Sequence, residues 1–248
     1  MRDELYYKNQ SGLIDPQNLA GMRFIQLGAG AIGSFFALTA AKMGVEQLRV
    51  FDHDTLETHN AANQWYPPVM VGKLKVEALM EMVKLFTGVV LDVHGRPWKA
   101  TDEVSFKDAD VLVLTVDNME TRIEAYTKWK EGGPRFLLDG RMGAMVYRAF
   151  LVDRERPETI RWYDCNMYSD TESMQDRCSE KSIIFTVMGV VADMLCLLRR
   201  AVVNDPDIPV EFEKDFVTGI YMMKHADGRK NLVRPRAKHM DKPAMAEV

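Results

Sequence analysis

The stretch Met22–Gly44, MRFIQLGAGAIGSFFALTAAKMG, does most to restrict what this chain can fold into. The apolar run Met22–Leu27 reads as a strand. It stops at Gly28-x-Gly30-x-x-Gly33, and from Ala31 to Met43 the apolar residues fall at helical spacing. In a turn of this kind the first glycine permits the sharp bend, the second lets backbone approach a phosphate, and the third lets helix and strand pack closely. The helix that follows presents its N-terminus, which favours an anion. A second strand, Gln47–Phe51, runs into Asp52, 19 residues past Gly33, where an acid that holds ribose hydroxyls belongs. Strand, glycine turn, helix, strand and acid together predict a nucleotide-binding βαβ unit. A plain packing turn is the alternative.

The rest of the chain extends this unit. Residues Asp54–Met70 read as a long polar loop with short helical turns, Gly72–Phe86 as a helix, and Val89–His94 as a strand. Val111–Val116 is a continuous apolar run, as expected of a strand covered on both faces. Glu120–Lys130 reads as a helix and Phe136–Asp139 as another strand. Alternation of this kind predicts an α/β, Rossmann-like, doubly wound and mostly parallel sheet. The pattern then changes. Val146–Val152 and Thr159–Asp164 both alternate and predict an antiparallel pair extending the sheet edge. Asn166–Lys181 is polar and irregular, an apolar helix follows to about Arg200, and Asp215–Met223 offers one more strand. The division expected is a domain over 1–203, with 1–21 as an N-terminal arm, and an extension over 204–248 whose end has too little to bury to stay ordered.

Composition excludes several classes. A formal net charge of −4 gives no global field for nucleic acid. The charged start has no apolar stretch behind it, and the most apolar run, Ser182–Leu198, is short and holds Asp193, so neither a secretory leader nor a membrane span is expected. The three cysteines, Cys165, Cys178 and Cys196, form no C-x-x-C pair and cannot build a four-thiolate zinc site within one chain. This predicts a reduced, cytoplasmic protein, with Cys196 as inert core inside the apolar helix. His53 and His59 flank acids without a third ligand at metal-binding spacing and read as exposed loop residues.

Beyond Asp52 the chain continues FDHDTLETHNAANQWYPPVMVGKLK, with Asp54, Asn60, Gln64 and then Val71-Gly72-Lys73-Leu74-Lys75 entering a helix; further on come Asp117-Asn118 and Arg122. In this order these residues resemble the ThiF/MoeB/HesA superfamily, which includes the ubiquitin-activating enzymes, over about residues 6–200. The segment Asp139–Gly143, DGRMG, resembles a subgroup found in phage and mobile-element contexts. The resemblance implies ATP-dependent adenylation of a carboxylate, usually the C-terminus of a ubiquitin-like protein or peptide, with release of pyrophosphate, in a two-fold homodimer. It implies that Gly28, Gly30 and Gly33 form the phosphate turn and that Asp52 and Asp54 border the nucleotide. It also implies that Asn60, Asn63 and Gln64 line the phosphate region, that Lys75 and Lys73 contact phosphates, that Asp117 holds Mg²⁺, and that Asn118 and Arg122 complete the site.

The same resemblance shows departures. Family members carry an arginine three residues past the asparagine, where this chain has Asn63, and another in the N-terminal arm, where it has Asn9 beside Lys8 and Gln10. Arg141 or Arg148 would have to supply charge from elsewhere, and the family's zinc-binding cysteine pairs are missing. Members that form a thioester use a cysteine before the final helix; Cys178 stands in that place, flanked by Arg177 and Lys181, which would lower a thiol pKa. Read from the residues alone, the lysines could be solvated, Asp117-Asn118 could only cap a helix, and a non-catalytic nucleotide-binding scaffold or an NAD-dependent oxidoreductase remain as alternatives. Stabilisation by ATP with Mg²⁺, against NAD, separates them.

Overall fold

Strand β1 (Arg23–Leu27) lies at the centre of a mixed sheet, flanked by β2 (Gln47–Phe51) on one side and β4 (Val111–Leu114) on the other. The computed structural model describes residues 5–101, 106–168 and 183–232. Its strand order is β3-β2-β1-β4-β5-β6-β7-β8-β9 among the described residues, with β3 (Asp92–His94), β5 (Phe136–Gly143), β6 (Val146–Asp153), β7 (Glu211–Asp215), β8 (Ile220–Lys224) and β9 (Lys230–Leu232). The first five strands are parallel and the rest antiparallel. The order reverses between β1 and β4. In open α/β sheets, ligands bind at such a switch point, beyond the carboxyl ends of the strands.

Two apolar layers cover the sheet. On one face lie α2 (Ala31–Met43), α3 (Lys75–Thr87) and α6 (Ile184–Val202), on the other α4 (Met119–Gly132) and α5 (Pro157–Asp164). Helix α3 buries Val76, Leu79 and Val83, one stripe at helical spacing. Helix α6 buries Val187, Val190, Val191, Met194, Leu197 and Leu198 against β5, β6 and α2. The arm forms turns up to Leu13, and Asp15 caps the short α1 (Pro16–Ala20) by accepting from Gln17 N.

The expected α/β sheet with an antiparallel extension is present, but the extension is built differently. Thr159–Asp164 is not a strand: it belongs to α5. Its buried residues, Thr159 and Tyr163, stand four apart, a helical repeat that the apparent alternation concealed, and Pro157 opens the helix. The partners of β6 are instead β5, which runs on to Gly143, and β7. The Asp215–Met223 stretch turns at Gly219 between β7 and β8, so residues 204–232 continue the same sheet. The third strand is shorter than expected, Asp92–His94. Cys196 is not core: it is exposed on the outer side of α6. No described helix is long and apolar enough to cross a membrane.

Candidate active site

The glycine turn sits at the switch point, and the surrounding side chains tie it down. Gly28 has φ +100°, and a Cβ there would lie 2.7 Å from Thr115 O; a Cβ on Gly33 would lie 2.2 Å from Gly28 O. Both positions therefore require glycine for folding alone. Gly30 differs, because a Cβ there would meet nothing within 4 Å. The protein leaves that space open, as a backbone built for close approach by a ligand does. Gln26 is fully buried, and its Nε2 donates to Gly28 O (2.8 Å) and Gly33 O (3.0 Å). Thr115 Oγ1 donates to Leu27 O and Gly28 O, and Tyr66 Oη to Ala29 O (2.7 Å). The turn's carbonyls are thus drawn back into the protein.

A cavity of about 130 Å³ opens above the turn, lined by Gly28, Gly30, Asp52, His53, Asp54, Lys75, Thr115, Asp117, Asn118 and Thr121 and by the apolar or aromatic residues Phe51, Pro97, Trp98 and Val116. Asp52 accepts from Ala29 N (2.7 Å) and Asp54 N (2.8 Å). Burial pushes its carboxyl above the usual range, and these two backbone donors and Lys75 pull partly against it. Lys75 begins α3 and is 7% exposed, with Nζ 2.6 Å from Asp54 Oδ2. Lys73 points away and pairs with Glu81 on the solvent side. Of the Lys-x-Lys pair, only Lys75 reaches the cavity.

Asp117 follows β4 and is exposed at the cavity, with a single long contact among the described residues, from Asn118 Nδ2 (3.5 Å). Asn118 Oδ1 caps α4 by accepting from Thr121 N (2.8 Å). Capping and site lining therefore coexist in one dipeptide. The carboxylates here suit a hard cation: ligand atoms of Asp52 and Asp54 lie within 4.8 Å of one another and line the same cavity as Asp117, while the His53 nitrogen grouped with them is a donor such a cation does not favour.

Other expected residues stand around the cavity without lining it. Asn60 is buried, and its Oδ1 accepts from Glu57 N (2.9 Å) to hold a 3-10 turn over Thr58–Ala62. Asn63 and Gln64 are half-buried beside Trp65, whose N donates to Ser34 Oγ and whose ring packs on Phe35 in the first turns of α2. Gln10 Nε2 donates to Lys42 O at the far end of α2, so within one chain the arm lies away from the cavity. Cys178 falls outside the described residues.

A second set of charges is sealed beside this edge. Asp139 on β5 is fully buried and accepts from Arg122 Nε (3.0 Å), Arg141 Nε (2.6 Å) and Tyr163 Oη (2.8 Å). Burial alone would raise its pKa, but the two guanidiniums outweigh it and hold the carboxyl below the usual range. Arg141 also donates to Asn166 O (2.7 Å), and Arg148 pairs with buried Glu211 (2.7 Å) and with Asn166 Oδ1. Both arginines are committed to this network, which corrects the expectation that one of them supplies charge to the phosphates. A larger open hollow of about 510 Å³ between α5 and the β8–β9 hairpin holds none of the nucleotide-motif residues.

A model described as the ThiF family matches residues 9–237. The chain belongs to the ThiF family. Among curated proteins, this member is similar to the adenylyltransferase and sulfurtransferase uba4 of Emericella nidulans, 33% identical over 118 residues, which is 46% of this chain and 24% of that protein. It is also similar to the tRNA threonylcarbamoyladenosine dehydratase of Haemophilus influenzae, 30% identical over 128 residues, 47% of this chain and 48% of that protein. The matches thus span a quarter to a half of those relatives. Among solved structures, E. coli MccB with ATP superposes with a TM-score of 0.65 at 13% identity, covering 86% of this chain and 66% of that one. PaaA superposes at 0.64 and 13% identity, covering 93% and 69%. At such identity these two establish the shared fold.

Sequence reasoning missed two residues in this ThiF-family site. Gln26 looked like one more strand residue; a buried amide one residue short of a strand's end was the available signal. Trp98, 6% exposed and stacked on Phe106 at 5.0 Å, lines the cavity, and its Nε1 has no partner among the described residues. A lone tryptophan in a proline-containing loop gives no periodic signal.

Proposed function

We propose that this ThiF-family chain activates a carboxylate by ATP-dependent adenylation, the carboxylate being the C-terminus of a ubiquitin-like protein or a peptide. The observation that carries the reading is the convergence on one cavity of an open glycine turn, a buried lysine and an exposed aspartate at the carboxyl ends of β1, β2 and β4. A hydride-transfer enzyme has no need of the Lys75–Asp54 pair or of Asp117. The names of two relatives, uba4 and the ubiquitin-like modifier-activating enzyme 5 of Dictyostelium discoideum, 27% identical over 104 residues, support the acyl class.

In the proposed reaction a carboxylate oxygen attacks the α-phosphorus of ATP and pyrophosphate leaves. Backbone N–H groups at the start of α2 and the Lys75 ammonium would bear the triphosphate's charge. This is electrostatic stabilisation by groups fixed before the reaction. Asp52 would accept from the ribose hydroxyls. Asp117 would hold Mg²⁺, which supplies charge neutralisation on the phosphates when bound. By resemblance the working unit is a homodimer, and Cys178 is the acceptor if the acyl group moves on to sulfur; the cysteine usage favours the cytoplasm as its place.

Thermal unfolding tests the reading. ATP with Mg²⁺ should raise the midpoint, by the equivalent of about 2.7 kcal/mol when ATP stands at 100 times its Kd, and NAD should not. Stabilisation by NAD alone would overturn the proposal. Stabilisation by ATP without pyrophosphate exchange on any carboxylate-bearing peptide would favour the non-catalytic scaffold.

A further inference from the structure

Arg122 was expected at the nucleotide, but the structure surrounds it differently. It is 4% exposed. Nη2 donates to Val116 O at 2.6 Å and Nη1 to Asn118 O at 3.4 Å, the two carbonyls on either side of Asp117. Nε donates to Asp139 Oδ1 at 3.0 Å, and Nη1 also meets Met119 Sδ at 3.1 Å. All three guanidinium nitrogens are therefore engaged within the protein. Asp139 lies on β5 directly beside the end of β4, paired in register with Leu114, and is itself fixed by Arg141 and Tyr163. Arg141 carries the chain of contacts to Asn166 O, just past α5.

We propose that Arg122 is a positioning residue: held by Asp139, it brackets the Val116–Asn118 turn and so aims the Asp117 carboxylate into the cavity, without touching the nucleotide. The inference rests on the adenylation reading. Among the described residues the side chain of Asp117 has almost no support of its own, one contact at 3.5 Å, so its direction is set by its backbone. That backbone follows the end of β4, which is buried and paired with β1 on one side and β5 on the other, and precedes the capped start of α4. Between them only Arg122 grips the carbonyls on both sides. The geometry calls for a planar fork that reaches two carbonyls and a carboxylate at once, which the point charge of lysine cannot do. Groups that orient a metal's direct ligands commonly change metal affinity by about 10–100-fold when altered.

The experiment separates nucleotide binding from metal response in the full chain. Arg122→Lys keeps the positive charge opposite Asp139 and loses the bracket. Because a buried charge left without its partner can prevent folding, the second variant is Arg122→Met, which removes the bracket and leaves Asp139 paired with Arg141. Calorimetry gives the Kd of ATP in EDTA, and a MgCl₂ titration in saturating ATP gives the Mg²⁺ concentration for half-maximal thermal stabilisation. In either variant the metal-free ATP affinity should stay within about twofold, while the Mg²⁺ requirement should rise about tenfold. Asp117→Asn should add little on top of Arg122→Lys, because the two act on one interaction. Loss of metal-free ATP affinity by as much as the Mg²⁺ response would make Arg122 a nucleotide contact and overturn the proposal, as would an unchanged Mg²⁺ response. A wild-type chain that ignores ATP would take down the adenylation reading too; one that responds normally while the variants behave as wild type takes down the positioning role alone.

Discussion

The two halves of the sheet handle charge in opposite ways. At the parallel end, Asp54 and Asp117 are exposed at a cavity and Lys75 stands in its wall with one carboxylate partner. At the antiparallel end, Asp139 and Glu211 are fully buried, each held by two cations and by a tyrosine or tryptophan hydroxyl or N–H. Burial costs an ion its hydration, and only a complete set of partners offsets the loss. The antiparallel network is complete and holds shape. The parallel-end groups are incomplete, which leaves them able to take a ligand.

This contrast is most sharply tested by Asp139→Ala. The change leaves Arg122 and Arg141 buried without their counter-ion and should cost about 3–5 kcal/mol of stability in urea denaturation, far more than Asp117→Ala. The same network sets an acid limit. Asp139 and Glu211 have folded pKa values below their ordinary 3.8 and 4.5, so the stability they give is present above those values and is lost as pH falls through the folded ones. Urea midpoints measured from pH 6 down to pH 3 should therefore drop below about pH 4, and a flat profile would mean that the network is not holding the fold.

The next effect is on binding. Lys75→Ala should weaken ATP about 10–100-fold, the worth of a charge-assisted hydrogen bond in a shielded place, as read by calorimetry. Lys73→Ala removes only a solvent-side pair with Glu81 and should stay within about threefold. Equal losses in the two variants would erase the distinction between the wall of the cavity and its surroundings. The smallest effect is kinetic. Cys178 should react with an electrophile near neutral pH faster than Cys165 or Cys196. The Cys196 thiol is pushed up by shielding from the surrounding protein and by Asp193. Labelling of Cys178 no faster than Cys165 would remove it as an acyl acceptor.

The parallel half was legible because its signals are local. A glycine turn, an acid at a strand end and an apolar run each report their own backbone, so β1, α2, β2 and β4 could be placed within a residue or two. The antiparallel half was read less well because its determinants are distant in sequence. The strand on the outer side of β6 lies about sixty residues away at Glu211–Asp215, and nothing near Val146 announces it. Helix α5 was misread because Thr159, Trp162 and Tyr163 have strand-favouring side chains, and packing on Asp139 and Glu211 overrode that preference. In the site, Asp52, Lys75 and Asp117 were named from motif order. Arg122 was named for the nucleotide, and its partner within the fold, Asp139, becomes visible only when β4 and β5 lie side by side.

The three glycines of the turn between β1 and α2 answer to different demands. At Gly28 and Gly33 the objection to a side chain comes from the protein's own atoms, whereas at Gly30 the protein raises none. A library of variants screened only for expression and folding would accept alanine at 30 and reject it at 28 and 33. One screened for use of the nucleotide would reject it at all three. Position 30 thereby separates selection for shape from selection for chemistry, within six residues of one loop.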